Sequence, residues 1–441
     1  MKMGQMSLED YWNEEKYTHP SPYDGIIPDK KRVLSLFSGA GGMDIGFEGD
    51  FLTLKRSINE TMHPSWIRED YGEWVKVAPT NFETVFANDI RPDAKAAWVG
   101  YFEDRKDDAN SIYRLESIVE LVKKAKKGEK IFPEDINIVT GGFPCQDFSV
   151  AGNRKGFKSD KSHSGGKLDI DEPTIENRGQ LYIWMREVIS IVEPEVFIAE
   201  NVKGLVSLED AKEIIEHDFS NAGSGGYIVV PAKVLHAADY GVPQSRERII
   251  FFGFKRSALK PEAKEALENF DEDSIFNPYP TITHSFNIKS EYLKAFVRTK
   301  EALNGLKEPN ESKDLSQTKY SKAKYLPKGQ GNIEIKLDSI APTIRAEHHG
   351  NIEFRRLSAE NGGVNNEELD LGLEQRRLTV RECARLQTFP DEYQFILDKT
   401  DDNVALSASN AYKIIGNAVP VVLAYNIAKT LSEKWGIYFK N

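Results

Sequence analysis

The stretch that most constrains this 441-residue chain runs from Ile136 to Gln146. Ile136-Asn137-Ile138-Val139 is largely apolar and reads as a buried strand. It stops at Gly141-Gly142, after Phe143 Pro144 fixes the backbone, and Cys145 follows at once. A buried strand that ends in glycines delivers its last residues to the mouth of an α/β sheet, where open sheets keep their ligand crevice. A thiol there is either a small core residue or a nucleophile, and the strand alone leaves both open. The chain has two cysteines in all, so neither a disulfide framework nor a cysteine-rich zinc site is available.

Other runs repeat the strand-then-helix texture. Val33-Leu34-Ser35-Leu36-Phe37 reads as the first buried parallel strand, followed by Ser38-Gly39-Ala40-Gly41-Gly42 and a helix from Met43 to Glu48. Glycines at such a turn let backbone approach a ligand closely; the alternative is a tight strand-to-helix turn and nothing more. Thr84 to Asp89 is a second strand ending in an acid, placed to hold a ribose diol or to cap the helix from Arg91 to Tyr101. Residues 51–81 break the alternation and read as an insertion that separates this acid from the glycines, which weakens a nicotinamide fingerprint. Leu181 to Glu193 has helical spacing. Glu195 to Val202, Tyr227 to Leu235 and Arg248 to Phe254 read as strands, the first carrying Glu200 near its end. Arg246 and Arg248 stand two apart, so an extended backbone points them the same way, toward a site or toward a solvated edge. The pattern predicts an α/β fold, a Rossmann-like sheet with a smaller, loop-rich second domain.

Domain bounds follow from texture: an arm at 1–30, a catalytic and cofactor domain at 31–255, a second domain at 256–408, and a returning segment at 409–441. The capping box Thr379-Val380-Arg381-Glu382 starts a helix that carries Cys383, Leu386 and Phe389 on one face, which makes Cys383 a core residue. His348-His349 reads as a surface loop. No apolar stretch reads as long enough to cross a membrane and no signal peptide opens the chain, which together with the few cysteines predicts a cytoplasmic protein with no membrane partner. The net charge of −11 argues against a nucleic-acid binder. A sum, however, permits a locally basic cleft.

Taken together and in order, six segments resemble the DNA (cytosine-5) methyltransferases of bacterial restriction–modification systems. They are Leu36 to Gly42, Gly142 to Gln146, Glu200-Asn201-Val202, Gln244 to Arg248, Arg377 to Glu382, and Gly416-Asn417-Ala418-Val419-Pro420. The resemblance implies an S-adenosyl-L-methionine-dependent methyltransferase fold whose second domain recognises double-stranded DNA in the major groove. It implies Cys145 as nucleophile at carbon 6 of cytosine, Glu200 as the acid at ring N3, Arg248 at the exocyclic oxygen, and Arg246 in support. For the cofactor it implies Phe37, Gly39, Ala40, Gly42, Asp89, Ile90, Ile112, Pro144 and Asn417. The family's acid–isoleucine pair has Ser111-Ile112 as its nearest match, so only Ile112 is carried over. For DNA it implies Ser149, Arg154, Lys155 and Arg178 in a lid over a flipped base, and Arg345 in the second domain. Lys322, Lys324, Lys328, Arg355 and Arg356 are further phosphate candidates. No metal is required and the protein is expected to be a monomer; the sequence leaves open whether it is functionally paired with a restriction endonuclease.

Three other functions compete. A tRNA cytosine methyltransferase would share the fold, but the long variable domain favours duplex DNA. A catalytically silent regulatory paralogue is opposed by the intact Cys145, Glu200 and Arg248. A nicotinamide-dependent oxidoreductase explains the glycine loop and leaves Pro144-Cys145 and the arginines without a role.

Overall fold

A computed structural model describes residues 30–144, 181–208, 210–287, 290–346, 351–399 and 404–440. Among the described residues seven strands form the central sheet: β1 (Lys31–Leu36), β2 (Phe82–Asp89), β3 (Tyr113–Leu115), β4 (Ile138–Gly142), β5 (Val196–Val202), β6 (Tyr227–His236) and β7 (Glu247–Lys255). Their spatial order is β3-β2-β1-β4-β5-β7-β6. β1 to β5 are mutually parallel, whereas β7 runs antiparallel to both β5 and β6.

Side chains alternate across this sheet with the period of an extended chain, and each face has its own core. Leu34, Val139, Phe197, Ala199, Ile249 and Phe251 face one way. Val33, Ile138, Val196, Ile198, Ile250 and Phe252 face the other. The first face is covered by α3 (Ile118–Lys126), α4 (Leu181–Val192) and α5 (Ala211–Ser220), and the second by α1 (Gly42–Glu48), α2 (Pro92–Phe102) and the C-terminal helix described next. Burial on both faces explains why the strands read as near-continuous apolar runs.

The C-terminal segment forms α7 (Ala408–Asn417) and α8 (Val421–Tyr438), interrupted at Ala418-Val419-Pro420, in addition to the short helix α6 (Val380–Leu386). Helix α8 lies directly on α1: a β-carbon on Gly46 would meet Ala424 Cβ at 2.5 Å and Val421 O at 2.6 Å. The chain end therefore returns to the sheet, as the apolar density of that stretch predicts. By length and composition the 31 residues Ala408–Tyr438 are long and apolar enough to cross a membrane, against the expectation that no stretch is. Of the most apolar window, 78% is buried inside the protein.

Residues 51–81 form a three-stranded antiparallel ribbon, Leu52–Leu54, Trp74–Val77 and Ile67–Asp70 in that spatial order. It braces two neighbours. Trp66 Nε1 donates to Glu433 on α8 (2.7 Å), and Asn59 Nδ2 donates to Thr283 O (2.9 Å) and Tyr292 O (2.7 Å). Residues 261–280, assigned from sequence to the second domain, pack on the sheet, with Tyr279 Oη donating to Ile250 O (3.0 Å). The remainder of that domain has strands of only two or three residues, and buried ion pairs knit it. Arg356 reaches Glu308 and Glu368, Arg376 reaches Glu308 and Glu382, and Arg381 reaches Asp314. Arg356 and Arg355 are thereby turned inward and paired with carboxylates, which corrects their reading as phosphate contacts.

The capping box on α6 forms as read, with Thr379 Oγ1 accepting from Glu382 N (3.0 Å) and Glu382 accepting from Thr379 N (2.8 Å). Cys383 and Leu386 are buried on that helix. Phe389 is buried too, but it lies beyond the helix end, after Thr388 turns left-handed (φ 59°).

Candidate active site

The order of parallel strands reverses between β1 and β4, and a doubly wound sheet opens its crevice at such a point. Leu36 pairs with Gly141 and Gly142 pairs with Glu200. Three chain segments therefore leave the sheet side by side: the loop after Leu36, the Phe143-Pro144 turn that leads into Cys145, and the end of β5.

Because β7 is antiparallel, its beginning lies beside the end of β5, one strand from the end of β4. Register pairs Arg248 with Val202 and Ile250 with Glu200. The result is a buried ion pair, Arg248 Nε to Glu200 Oε1 at 2.7 Å. Burial raises the Glu200 carboxyl above the usual carboxylate range, opposed by the guanidinium of Arg248 and then by that of Arg246. Gly142 makes the room: a β-carbon there would stand 2.7 Å from Glu200 Oε2. Asn201, next to Glu200, donates from Nδ2 to Phe143 O (3.2 Å) and so ties β5 to the turn before the cysteine. Its role was not read from sequence, although its place inside the Glu-Asn-Val motif was the available signal.

Arg246 and Arg248 diverge in their contacts. Arg246 is fully buried and donates to Ile344 O (3.0 Å), Gly416 O (2.7 Å) and Ala418 O (2.9 Å). Burying a guanidinium costs several kcal/mol, and three charge-assisted bonds at about 1.5–3 kcal/mol each offset it. Arg246 thus pins the turn that presents the exposed Asn417, and it does so from within the core rather than from a solvated edge. Two buried glutamines complete this joint: Gln244 Nε2 donates to Gln387 Oε1 (2.9 Å), and Gln387 Nε2 donates to Ile415 O (2.7 Å).

The loop after β1 is built for close approach. Phe37, Gly39 and Gly41 all adopt left-handed backbone, and a side chain on Gly41 would collide with the Trp98 ring at 2.5 Å. Ala40 O accepts from Tyr393 Oη (2.8 Å) and Gly39 O from Tyr113 Oη (3.1 Å). Gly42 abuts Val419 O, so the same joint that holds Asn417 also backs this loop. Asp89 accepts from Gly39 N through Oδ2 (3.1 Å) and from Arg91 N through Oδ1 (3.0 Å), which makes it a tie for the glycine loop and a brace for the turn before α2; it does not cap that helix, whose N-cap is Arg91. Beside it Ile90 (45% exposed) and Leu115 (41%), the cross-strand partner of Asp89, leave apolar surface at the strand ends. A half-buried carboxylate with free lone pairs, an apolar rim and a left-handed glycine turn fit a nucleoside with a ribose diol. Leu115 was missed from sequence; its signal was an apolar residue ending a strand. Ile112 packs half-buried against the core of the α1 face, while Ser111 N and Oγ both bond Asp108.

Cys145, Ser149, Arg154, Lys155, Arg178 and His348-His349 lie outside the described residues. Pro144 is half-buried at the end of the β4 turn. Arg345 is paired with the buried Glu353 (2.9 Å), and its backbone packs on Gly416.

A sheet of this order, with a glycine loop after β1 and an acid at the end of β2, defines a Rossmann-like methyltransferase fold. Two solved structures share that fold: S. pombe Dnmt2 methyltransferase (TM-score 0.51, 21% identity, 91% of this chain and 99% of that one) and the Entamoeba histolytica methyltransferase EhMeth (TM-score 0.53, 13% identity, 92% and 99%). The family model for C-5 cytosine-specific DNA methylases matches residues 31–433. The chain is 34% identical over 430 residues to the Type II methyltransferase M.BspRI of Lysinibacillus sphaericus, covering 94% of this chain and 84% of the relative. It is 31% identical over 429 residues to M.BsuRI of Bacillus subtilis, covering 93% and 81%. The chain belongs to the C-5 cytosine-specific DNA methylase family, and as a member it is a DNA (cytosine-5-)-methyltransferase of the restriction–modification type.

Proposed function

We propose that the protein methylates carbon 5 of a cytosine swung out of a specific double-stranded DNA sequence, through a transient bond between Cys145 and carbon 6. The observation that carries this reading is the buried Glu200–Arg248 pair, 2.7 Å apart, beside the glycine turn that leads into Cys145. A flat ring seated there meets an acid and a cation, and the chain runs from the glycine turn through Pro144 into Cys145.

Carbon 5 of cytosine is a poor nucleophile. Attack by the Cys145 thiolate on carbon 6 breaks the ring's conjugation and raises electron density at carbon 5. The attack places negative charge on N3, and Glu200 shares a proton there, which its burial-raised proton affinity favours. Arg248 holds the exocyclic oxygen and, through its bond to Glu200, orients the carboxyl. Once carbon 5 carries the new methyl, its proton passes to water and the thiolate leaves carbon 6, which restores the ring. When bound, S-adenosyl-L-methionine supplies the electrophilic methyl. Phe37, Ile90 and Leu115 offer apolar surface for its adenosine, Asp89 accepts from the ribose, and Asn417 closes the site. Extrusion of the base costs roughly a few kcal/mol. Pairing with a restriction endonuclease is in keeping with the names of the bacterial relatives, whose DNA lies in the cytoplasm.

The test is Cys145→Ser. Methyl transfer from tritiated cofactor to duplex DNA is expected to vanish while duplex binding persists. Duplex carrying 5-fluorocytosine is expected to give a denaturation-resistant adduct with the unaltered protein, because fluorine blocks elimination. Turnover by the serine variant would refute the nucleophile assignment.

A further inference from the structure

One part of the second domain combines charge, exposure and rigidity in a way the catalytic site does not use. Leu315 to Ile333 carries four lysines and no acid, in a chain of net charge −11. Within it Leu326 to Gln330 is an exposed tip, with Leu326 65% exposed, and Lys322 and Lys324 are exposed at its base. A free loop of this composition would be a solvated strand of little interest. This one is clamped at the neck by a single buried guanidinium. Arg377 donates to Ala323 O (2.9 Å) and Lys324 O (3.1 Å) on the ascending side. On the descending side it donates to Gly331 O (3.0 Å) and Asn332 Oδ1 (2.7 Å), and also to Ile352 O. Its planar fork stacks on Phe354, 4.0 Å from the ring centre.

The tip is shaped as well as held. Gly329 N donates to Leu326 O (3.2 Å), Lys328 and Gly331 are left-handed (φ 69° and 68°), and a β-carbon on Gly331 would strike Asn351 O. The neck also connects to the reaction centre through short covalent and packed steps. Ile352 O accepts from Arg377, the adjacent Glu353 pairs with Arg345 (2.9 Å), the Arg345 backbone packs on Gly416, and Ile344 O accepts from Arg246, two residues from Arg248. A rigid, basic projection tied to the frame of the extruded base has the properties of a base-reading element.

We infer that residues 322–333 read base edges in the DNA major groove beside the target cytosine. Lys328 and Gln330 make the base contacts, for which guanine O6/N7 and adenine N6/N7 are the matching edges. Leu326 offers a methyl-sized apolar contact, and Lys322 and Lys324 hold flanking phosphates. This rests on the duplex-DNA reading given above.

The experiment uses the full chain and a duplex library randomised around cytosines, scored by bisulfite sequencing. In K328A/Q330A, preference at one or two base positions is expected to fall roughly five- to a hundredfold. Each single variant is made as well, so that a misfolded double variant does not hide the effect. K322A/K324A is expected to weaken binding to all sequences alike and to lower the salt-dependence slope by about 1.8. Unchanged base preference in a folded Lys328 or Gln330 variant, with the unaltered protein still methylating, overturns the assignment of this loop alone. Failure of the unaltered protein to methylate duplex DNA overturns the parent reading, and this inference with it.

Discussion

Gly142 and Glu200 face each other across β4 and β5, and a single added carbon on Gly142 would lie 2.7 Å from Glu200 Oε2. That distance is well inside van der Waals contact, so the carboxylate keeps its place against Arg248 only because Gly142 has no side chain. The glycine doublet before the proline is therefore a matter of space at the reacting acid as much as of turn geometry.

Gly142→Ala should accordingly displace the Glu200 carboxyl while leaving the sheet formed. A displacement near 1 Å is expected to lower the turnover number by roughly a hundredfold. Single-turnover methyl transfer is the measurement, with cofactor binding by calorimetry as the control that should stay close to that of the unaltered protein.

Glu200→Gln keeps the shape and removes the shared proton. General acid catalysis of this kind is typically worth ~10²–10⁴-fold, and a loss in that range is expected in kcat. The Glu200 carboxyl sits above the ordinary carboxylate range because it is buried. Its protonated fraction, and with it the rate, should decline as pH rises through that elevated value. The kcat–pH profile of the unaltered enzyme should show this limb, and the glutamine variant should lack it.

Asp44 gives a stability test away from the chemistry. It is buried in α1 behind the glycine loop, accepts from Trp98 Nε1 (2.7 Å), and is pushed by burial up to about 6. In the unfolded chain an aspartate titrates near ~3.9. A raised value means the folded state binds the proton more tightly, so this group favours folding most below pH ~3.9 and loses that favour as pH climbs to about 6. The difference is worth up to ~3 kcal/mol. Asp44→Asn, which keeps an acceptor for Trp98, should raise the unfolding free energy at pH 8 and have little effect at pH 4. Urea unfolding at the two pH values decides it.

Much of the fold was legible because burial on both faces forces long apolar runs, and because glycine, proline and capping patterns mark where those runs stop. β1, β2, β4, β5, β6 and β7 fall where those runs lie, and the capping box at Thr379 forms as written. The ribbon at 51–81 escaped detail, since its short strands take their stability from α8 and the 283–292 segment rather than from their own pattern. Arg355 and Arg356 were misplaced for a related reason. Sequence shows their charge, while the carboxylates that turn them inward lie at Glu308 and Glu368.

By itself the sequence determined the kinds of group available for chemistry and the ends of strands on which they ride. Residue type and local backbone suffice for that, because strand burial and turn formation are decided within a few positions. Which groups meet was settled by the tertiary structure alone. The antiparallel entry of β7 brings Arg248 to Glu200, 48 positions earlier by their numbers, and the returning chain end brings Gly416 and Ala418 to Arg246. Such pairings depend on strand order and direction, which no local pattern encodes, and on the fact that a buried charge is tolerated only where distant backbone or an opposite charge comes to meet it.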